Sequence, residues 1–152
     1  MAKKRILSIS LFGAALALIA FLSLQPFAQT DSATRRIIDI ILSINNAINR
    51  REVAWGGMYV VVRKLAHVVE YFILGLAAAY LFTGSRHRIL YPSVLSAAVS
   101  VADQCTKIAI PRREFDLTDM PFDFLGYMLG ILLVAVFENE RKLKKKQTNI
   151  RD

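Results

Sequence analysis

The chain has 152 residues, is 55% hydrophobic with a mean hydropathy of +0.40, and still carries a formal charge of +8. A soluble domain with that basic excess is ordinarily less apolar, so the composition points to a membrane protein. The lone Cys105 excludes an intrachain disulfide, and its place in an apolar stretch predicts a buried, inert thiol.

The first apolar stretch, residues 6–24, holds no charged residue and is about as long as a bilayer-spanning helix requires. It follows Lys3, Lys4 and Arg5, an arrangement that also fits a secretory signal. Its apolar core exceeds the roughly 7 to 15 residues of such signals, and Pro26 and Ala28 make a poor cleavage site, so an uncleaved anchor is expected.

A connection follows in which Arg35, Asp39, Ser43, Asn46 and Arg50 recur at helical spacing against Ile37, Ile38, Ile40, Ile41, Leu42, Ile44 and Ile48. This predicts an amphipathic helix over 34–50, lying either on the outer surface of the bilayer or against the bundle as a cap. Trp55 and Tyr59, beside Gly56 and Gly57, read as an interfacial anchor.

Further spans are predicted over 58–82, 89–110 and 121–137, with Gly84, Ser85 and Arg86 as a tight connection. Pro92 and Pro121 sit in the first turns of their helices, where a missing amide proton costs little. The fold expected is therefore all-α: a membrane bundle of four transmembrane helices with the amphipathic helix in the outer loop between the first two. Residues 1–152 form one domain without internal repeats.

Threading the chain through a bilayer places eleven basic residues on the side of the termini and the short loop, against nine on the other. The side of the termini carries only Glu138, Glu140 and Asp152 as acids. The unbroken basic clusters at both ends predict cytoplasmic termini. Beside a span, Arg141 to Lys146 reads as a topology signal attracted to anionic lipid rather than as a nucleic-acid site.

Three of the four stretches carry ionisable residues at the opposite, outward ends. Arg63, Lys64, His67 and Glu70 open the second, Asp103 and Lys107 close the third, and Asp119 and Asp123 open the fourth. Counted at about 1.5 Å per residue, His67, Glu70, Asp103 and Asp123 all lie roughly 18–22 Å from the cytoplasmic ends of their helices. Arg63, His67 and Glu70 share one stripe, as do Ser93, Ser96, Ser100, Asp103 and Lys107, and Asp119, Asp123, Gly126 and Gly130. Charges at membrane depth usually face a bundle interior or a wet cavity and mark a site. Mutual neutralisation is the plainer alternative: Asp103 with Lys107, and Arg63 with Glu70 or an acid of the last span. Gly126 and Gly130 need mean no more than close helix contact.

Arg63, Lys64, Leu65, Ala66 and His67, followed by Glu70 and Tyr71, resemble the Lys-x-x-His-x-x-x-Tyr signature of VanZ-like membrane proteins. Pro111, Arg112, Arg113, Asp119, Asp123 and Gly126, with Gly130 beyond, are similar to that family's second block. The resemblance covers about residues 60–133. It implies a small multi-pass protein of the bacterial inner membrane. The family is named after a member associated with resistance to teicoplanin, which implies a link to glycopeptide antibiotic susceptibility but no settled activity. One departure stands out: where the family has an acidic pair followed by Gln, this chain has Asp103, Gln104 and Lys107.

Two roles for the site follow. As a binding site, Arg63, Lys64, Glu70, Tyr71, Lys107, Arg112, Arg113, Asp116 and Asp119 would hold an anionic lipid head group or a lipid-linked cell-wall intermediate, arginine engaging phosphate or carboxylate bidentately. As a membrane-embedded enzyme, His67 would be the acid or base, oriented by Asp103 or Asp123. The pattern leaves catalysis undecided. Relay of protons through the same acids and imidazole is a third role, which in four spans requires a homo-oligomer. Membrane lipids are the expected partners. No cofactor is expected, and the pairing of His67 with Glu70 is too generic to predict a metal.

Overall fold

The computed structural model describes residues 2–48, 55–109 and 116–151, and among these the chain is all-α, with five helices and no strand. They are α1 (Ala2–Leu24), α2 (Phe27–Ile48), α3 (Trp55–Leu81), α4 (Leu90–Ile108) and α5 (Met120–Arg151). The apolar stretches read from the sequence coincide with α1, α3, α4 and the first half of α5.

α5 departs from expectation by running on to Arg151 instead of ending near residue 137. Arg141, Lys142 and Lys144 are good helix formers, and Lys142 reaches back to Glu138 at 3.3 Å in the stabilising i,i+4 arrangement. Apolarity falls after Phe137 without ending the helix. Among the described residues two helices are long and apolar enough to cross a membrane, Arg5–Leu24 and Met120–Asn149.

α3 and α5 form the central pair, and glycine makes their approach possible. A Cβ built on Gly75 would collide with the backbone of Tyr127, one on Gly126 with the Val68 carbonyl, and one on Gly130 with the Phe72 carbonyl. Tyr71 and Leu74 of α3 and Tyr127 and Ile131 of α5 fill the core beside this contact. Ala15 and Ile19 bring α1 onto the same cluster, and α4 packs on both members of the pair and on α1.

α4 is built inside out relative to a helix in water. Its buried residues include Ser96, Ser100, Asp103, Gln104 and Lys107, whereas Val94, Val101 and Ile108 are 60%, 48% and 67% exposed. Only 17% of the apolar window of α1 is buried, so most of that helix also presents hydrocarbon outward. Cys105 corrects an expectation: it lies on the outer face of α4 and is exposed, because the buried stripe runs through Ser100, Asp103 and Lys107 on the other side.

α2 follows α1 after only Gln25 and Pro26, and the Pro26 carbonyl accepts a hydrogen bond from the Gln29 N–H at 3.0 Å. It lies against α3 through buried Thr34 and Ile38 while Ile37, Ile40 and Ile44 stay exposed. Residues 49 and 50 of the expected helix lie outside the described residues. Trp55 is engaged on both sides: Arg35 sits 5.0 Å from its ring centroid, and Tyr59 stacks on it at 5.9 Å. At the opposite end of the bundle Gly84, at φ +85, turns the chain from α3 toward α4. Its N–H donates to Glu138 at 3.1 Å, and Arg88 donates to Glu138 and Asn139 at 3.3 and 2.6 Å.

Candidate functional site

At the other end of the bundle the ionisable residues of three helices meet. Asp119 is the hub. Its backbone carbonyl accepts the N–H groups of Phe122 and Asp123 at 3.0 Å each, so it caps α5, where the positive end of the helix dipole favours a carboxylate. Its side chain is fully buried and faces two ammonium groups and an imidazole: Lys64 Nζ at 2.5 Å, Lys107 Nζ at 3.8 Å and His67 Nε2 at 3.2 Å.

Asp123, one turn further into α5 and equally buried, takes His67 Nδ1 at 3.0 Å on one oxygen and the Ser100 hydroxyl at 2.7 Å on the other. His67 is thus clamped between two carboxylates through both ring nitrogens. Carboxylates only accept, so the Asp123 contact is a hydrogen bond when Nδ1 carries a proton, whereas the approach of Nε2 to Asp119 Oδ2 is close enough for an ion pair but not aligned for a hydrogen bond.

Lys64 also reaches the Thr118 hydroxyl at 2.7 Å and Asp116 at 3.5 Å. Asp116 accepts the Thr118 N–H at 2.9 Å and the Thr118 hydroxyl at 2.7 Å, a turn that leads the chain into α5. The Thr118 hydroxyl, against the opposing effect of burial and helped by the Thr118 N–H, holds the Asp116 carboxyl below its ordinary value of 3.8. Asp103 and Lys107 pair at 3.1 Å, as their spacing foretells.

Beside this network opens a cavity of about 90 Å³. Arg63, His67 and Glu70 of α3 and Asp103 and Lys107 of α4 form its charged wall, and Thr30 and Thr34 of α2 face them. Among the described residues Arg63 and Glu70 take part in no ion pair, neither with each other nor with an acid of α5. Lys107 Nζ is buried and near Asp103 but not aligned for a hydrogen bond, so its donors are unspent. No group of three or more metal-ligating side chains is placed to hold an ion, among the described residues.

Two features of this arrangement were not read from the sequence. Ser100 is a direct partner of Asp123, and its place on the polar stripe of α4 was the signal for it. The wall contributed by α1 and α2 has a weaker signal, the four-residue spacing of Thr30 and Thr34. Tyr71 is placed in the core instead of the cavity wall, with its hydroxyl beside Ser100. Arg112 and Arg113 lie outside the described residues.

A family model described as VanZ/LLP1 matches residues 8–138, a stretch that takes in every ionisable residue of the network. The chain belongs to the VanZ/LLP1 family. The match extends the resemblance seen around His67 and Asp123 back into α1, so the family unit includes the helix that closes the cavity. Among curated proteins and solved structures none matches the chain. The VanZ/LLP1 family is membrane-associated, in keeping with the two helices fit to span a bilayer.

Proposed function

We propose that this VanZ/LLP1 protein is a four-span bundle of the bacterial inner membrane, with both termini in the cytoplasm. At its outward-facing polar end it binds the anionic head group of an envelope lipid or of a lipid-linked cell-wall intermediate. One observation carries the reading: the cavity wall offers Arg63, which joins no ion pair among the described residues, and Lys107, whose Nζ lies near Asp103 and Asp119 but makes no hydrogen bond. The inside-out face of α4 supports the four-span arrangement, because exposed Val94, Val101 and Ile108 suit hydrocarbon and buried Asp103 and Lys107 do not suit water-filled packing.

Catalysis by His67 is the weaker reading. A general acid or base needs one nitrogen turned toward substrate, and in His67 Nδ1 is hydrogen-bonded to Asp123 while Nε2 faces the buried Asp119 carboxylate at 3.2 Å. His67 lines the cavity while tying α3 to these two acids. A link to glycopeptide susceptibility fits a protein that sequesters or presents a lipid-linked anion of the cell envelope.

The test is mass spectrometry of the lipids that copurify with the protein. Wild type is expected to retain anionic lipid, and Arg63→Ala and Lys107→Met to lower the amount retained at least tenfold with the helical content unchanged. Equal retention by all three proteins would refute the assignment.

A further inference from the structure

The polar cavity does not stand alone. A second, larger cavity of about 300 Å³ adjoins it, lined by Leu16, Ile19, Ala20 and Leu24 of α1 and by Val99, Ala102 and Thr106 of α4. The two share a border: Ser23 and Asp103 line both. From that border the second cavity runs away from the charged end along Ile19, Leu16, Ala20, Ala102 and Val99, all apolar, while Leu24 and Thr106 flank it on the charged-end side.

We propose that the two cavities are one binding site for an amphiphile: the head group enters the charged cavity, and one hydrocarbon chain lies between α1 and α4. This deepens the function proposed above and rests on it. Charge changes at the border as it does along such a molecule. Arg63, His67, Glu70 and Lys107 line the first cavity, Asp103 stands at the boundary, and beyond it toward Leu16 and Val99 the lining side chains are apolar.

The volumes restrict the ligand further. The charged cavity, about 90 Å³, is the smaller of the two and suits a compact phosphate or carboxylate. The apolar cavity, about 300 Å³, lies at the low end of the range for small-molecule sites and suits one chain, not two. Width is set by the small residues Ala20 and Ala102, which leave space between helices that otherwise touch.

The experiment uses full-length protein in phosphatidylcholine nanodiscs and, as probe, a lysophosphatidic acid with a diazirine in its single acyl chain. After illumination, labels are expected to concentrate on Leu16, Ala20, Val99 and Ala102. Ala20→Phe and Ala102→Phe, which fill the cavity, should each lower labelling at least tenfold. Val101→Phe, on the face of α4 turned away from this cavity, should leave it unchanged. Labels spread evenly over the outer faces of α1 and α4, insensitive to both cavity-filling substitutions, would overturn the proposal.

Glycerol 3-phosphate separates this result from failure of the functional reading. If it binds wild type but not Arg63→Ala while chain labelling is even, head-group recognition survives and the chain site falls. If neither probe binds specifically, both fall.

Discussion

The two ends of the α3–α5 contact are held together by different physics. Toward the middle, Gly75, Gly126 and Gly130 let backbones touch, and the attachment is pure packing. At the charged end, His67 and Lys64 of α3 grip Asp119 and Asp123 of α5 through ion pairs and hydrogen bonds. Under the four-span arrangement proposed above this contact lies in hydrocarbon, where apolar side chains gain nothing by leaving lipid for protein and close backbone approach is what makes helices associate. Ion pairs are costly to bury and are tolerated where they fix a geometry. The glycine region therefore supplies association, and the charged region supplies the shape of the cavity.

Substitution at the glycines should break this division most severely. In Gly75→Leu the new side chain meets the Tyr127 backbone, which has no rotamer to escape into, so α3 and α5 must separate. Loss of the folded bundle is expected, seen as failure to elute as a single species in mild detergent. Gly13→Leu on α1, where a Cβ meets nothing within 4 Å, is the control and should elute normally. Equal behaviour of the two would show that the close approach is not what joins the helices.

Next in size is the hub of the charged end. Asp119→Asn leaves Lys64, His67 and Lys107 around a neutral amide. Removing one partner of a buried pair typically costs about 3–5 kcal/mol, and that loss is expected in unfolding by sodium dodecyl sulfate titration. Ser100→Ala removes a single hydrogen bond to Asp123 and should cost about 1–3 kcal/mol in the same titration. If Ser100→Ala costs as much as Asp119→Asn, the hub is misassigned.

The contrast between the two ends also explains what could be read in advance. Helix positions and the convergence of His67, Asp103, Lys107, Asp119 and Asp123 follow from apolar runs and from 3.6-residue periodicity, which are local properties. The closeness of Gly75 to Tyr127 was invisible, because Gly75 has no repeat spacing on its own helix and its partner lies far along the chain. Cys105 was misplaced for a related reason: in an apolar stretch, burial was assigned by hydrophobicity, whereas α4 turns its polar stripe inward. The cavity wall from α1 and α2 was missed because Leu22, Ser23, Thr30 and Thr34 carry no charge to draw attention. Continuation of α5 past Phe137 depended on helix propensity, which an apolarity criterion ignores.

The smallest expected effect sharpens the comparison at its outer edge, where Asp116 shares Lys64 with Asp119. Asp116 is 39% exposed at the side chain, so its pairing with Lys64 is worth only ~0.5 kcal/mol. Its carboxyl lies below 3.8 in the folded chain, so its contribution is complete above the unfolded value and lost as pH falls through the folded one. As pH falls from 6 to well below 3.8, the stability difference between wild type and Asp116→Asn should therefore shrink toward zero, the wild type being the more stable at the upper end. A difference that grows on acidification would mean that Asp116 is strained by Asp119 rather than held by Thr118 and Lys64. The entrance to α5 would then be shaped by repulsion between acids.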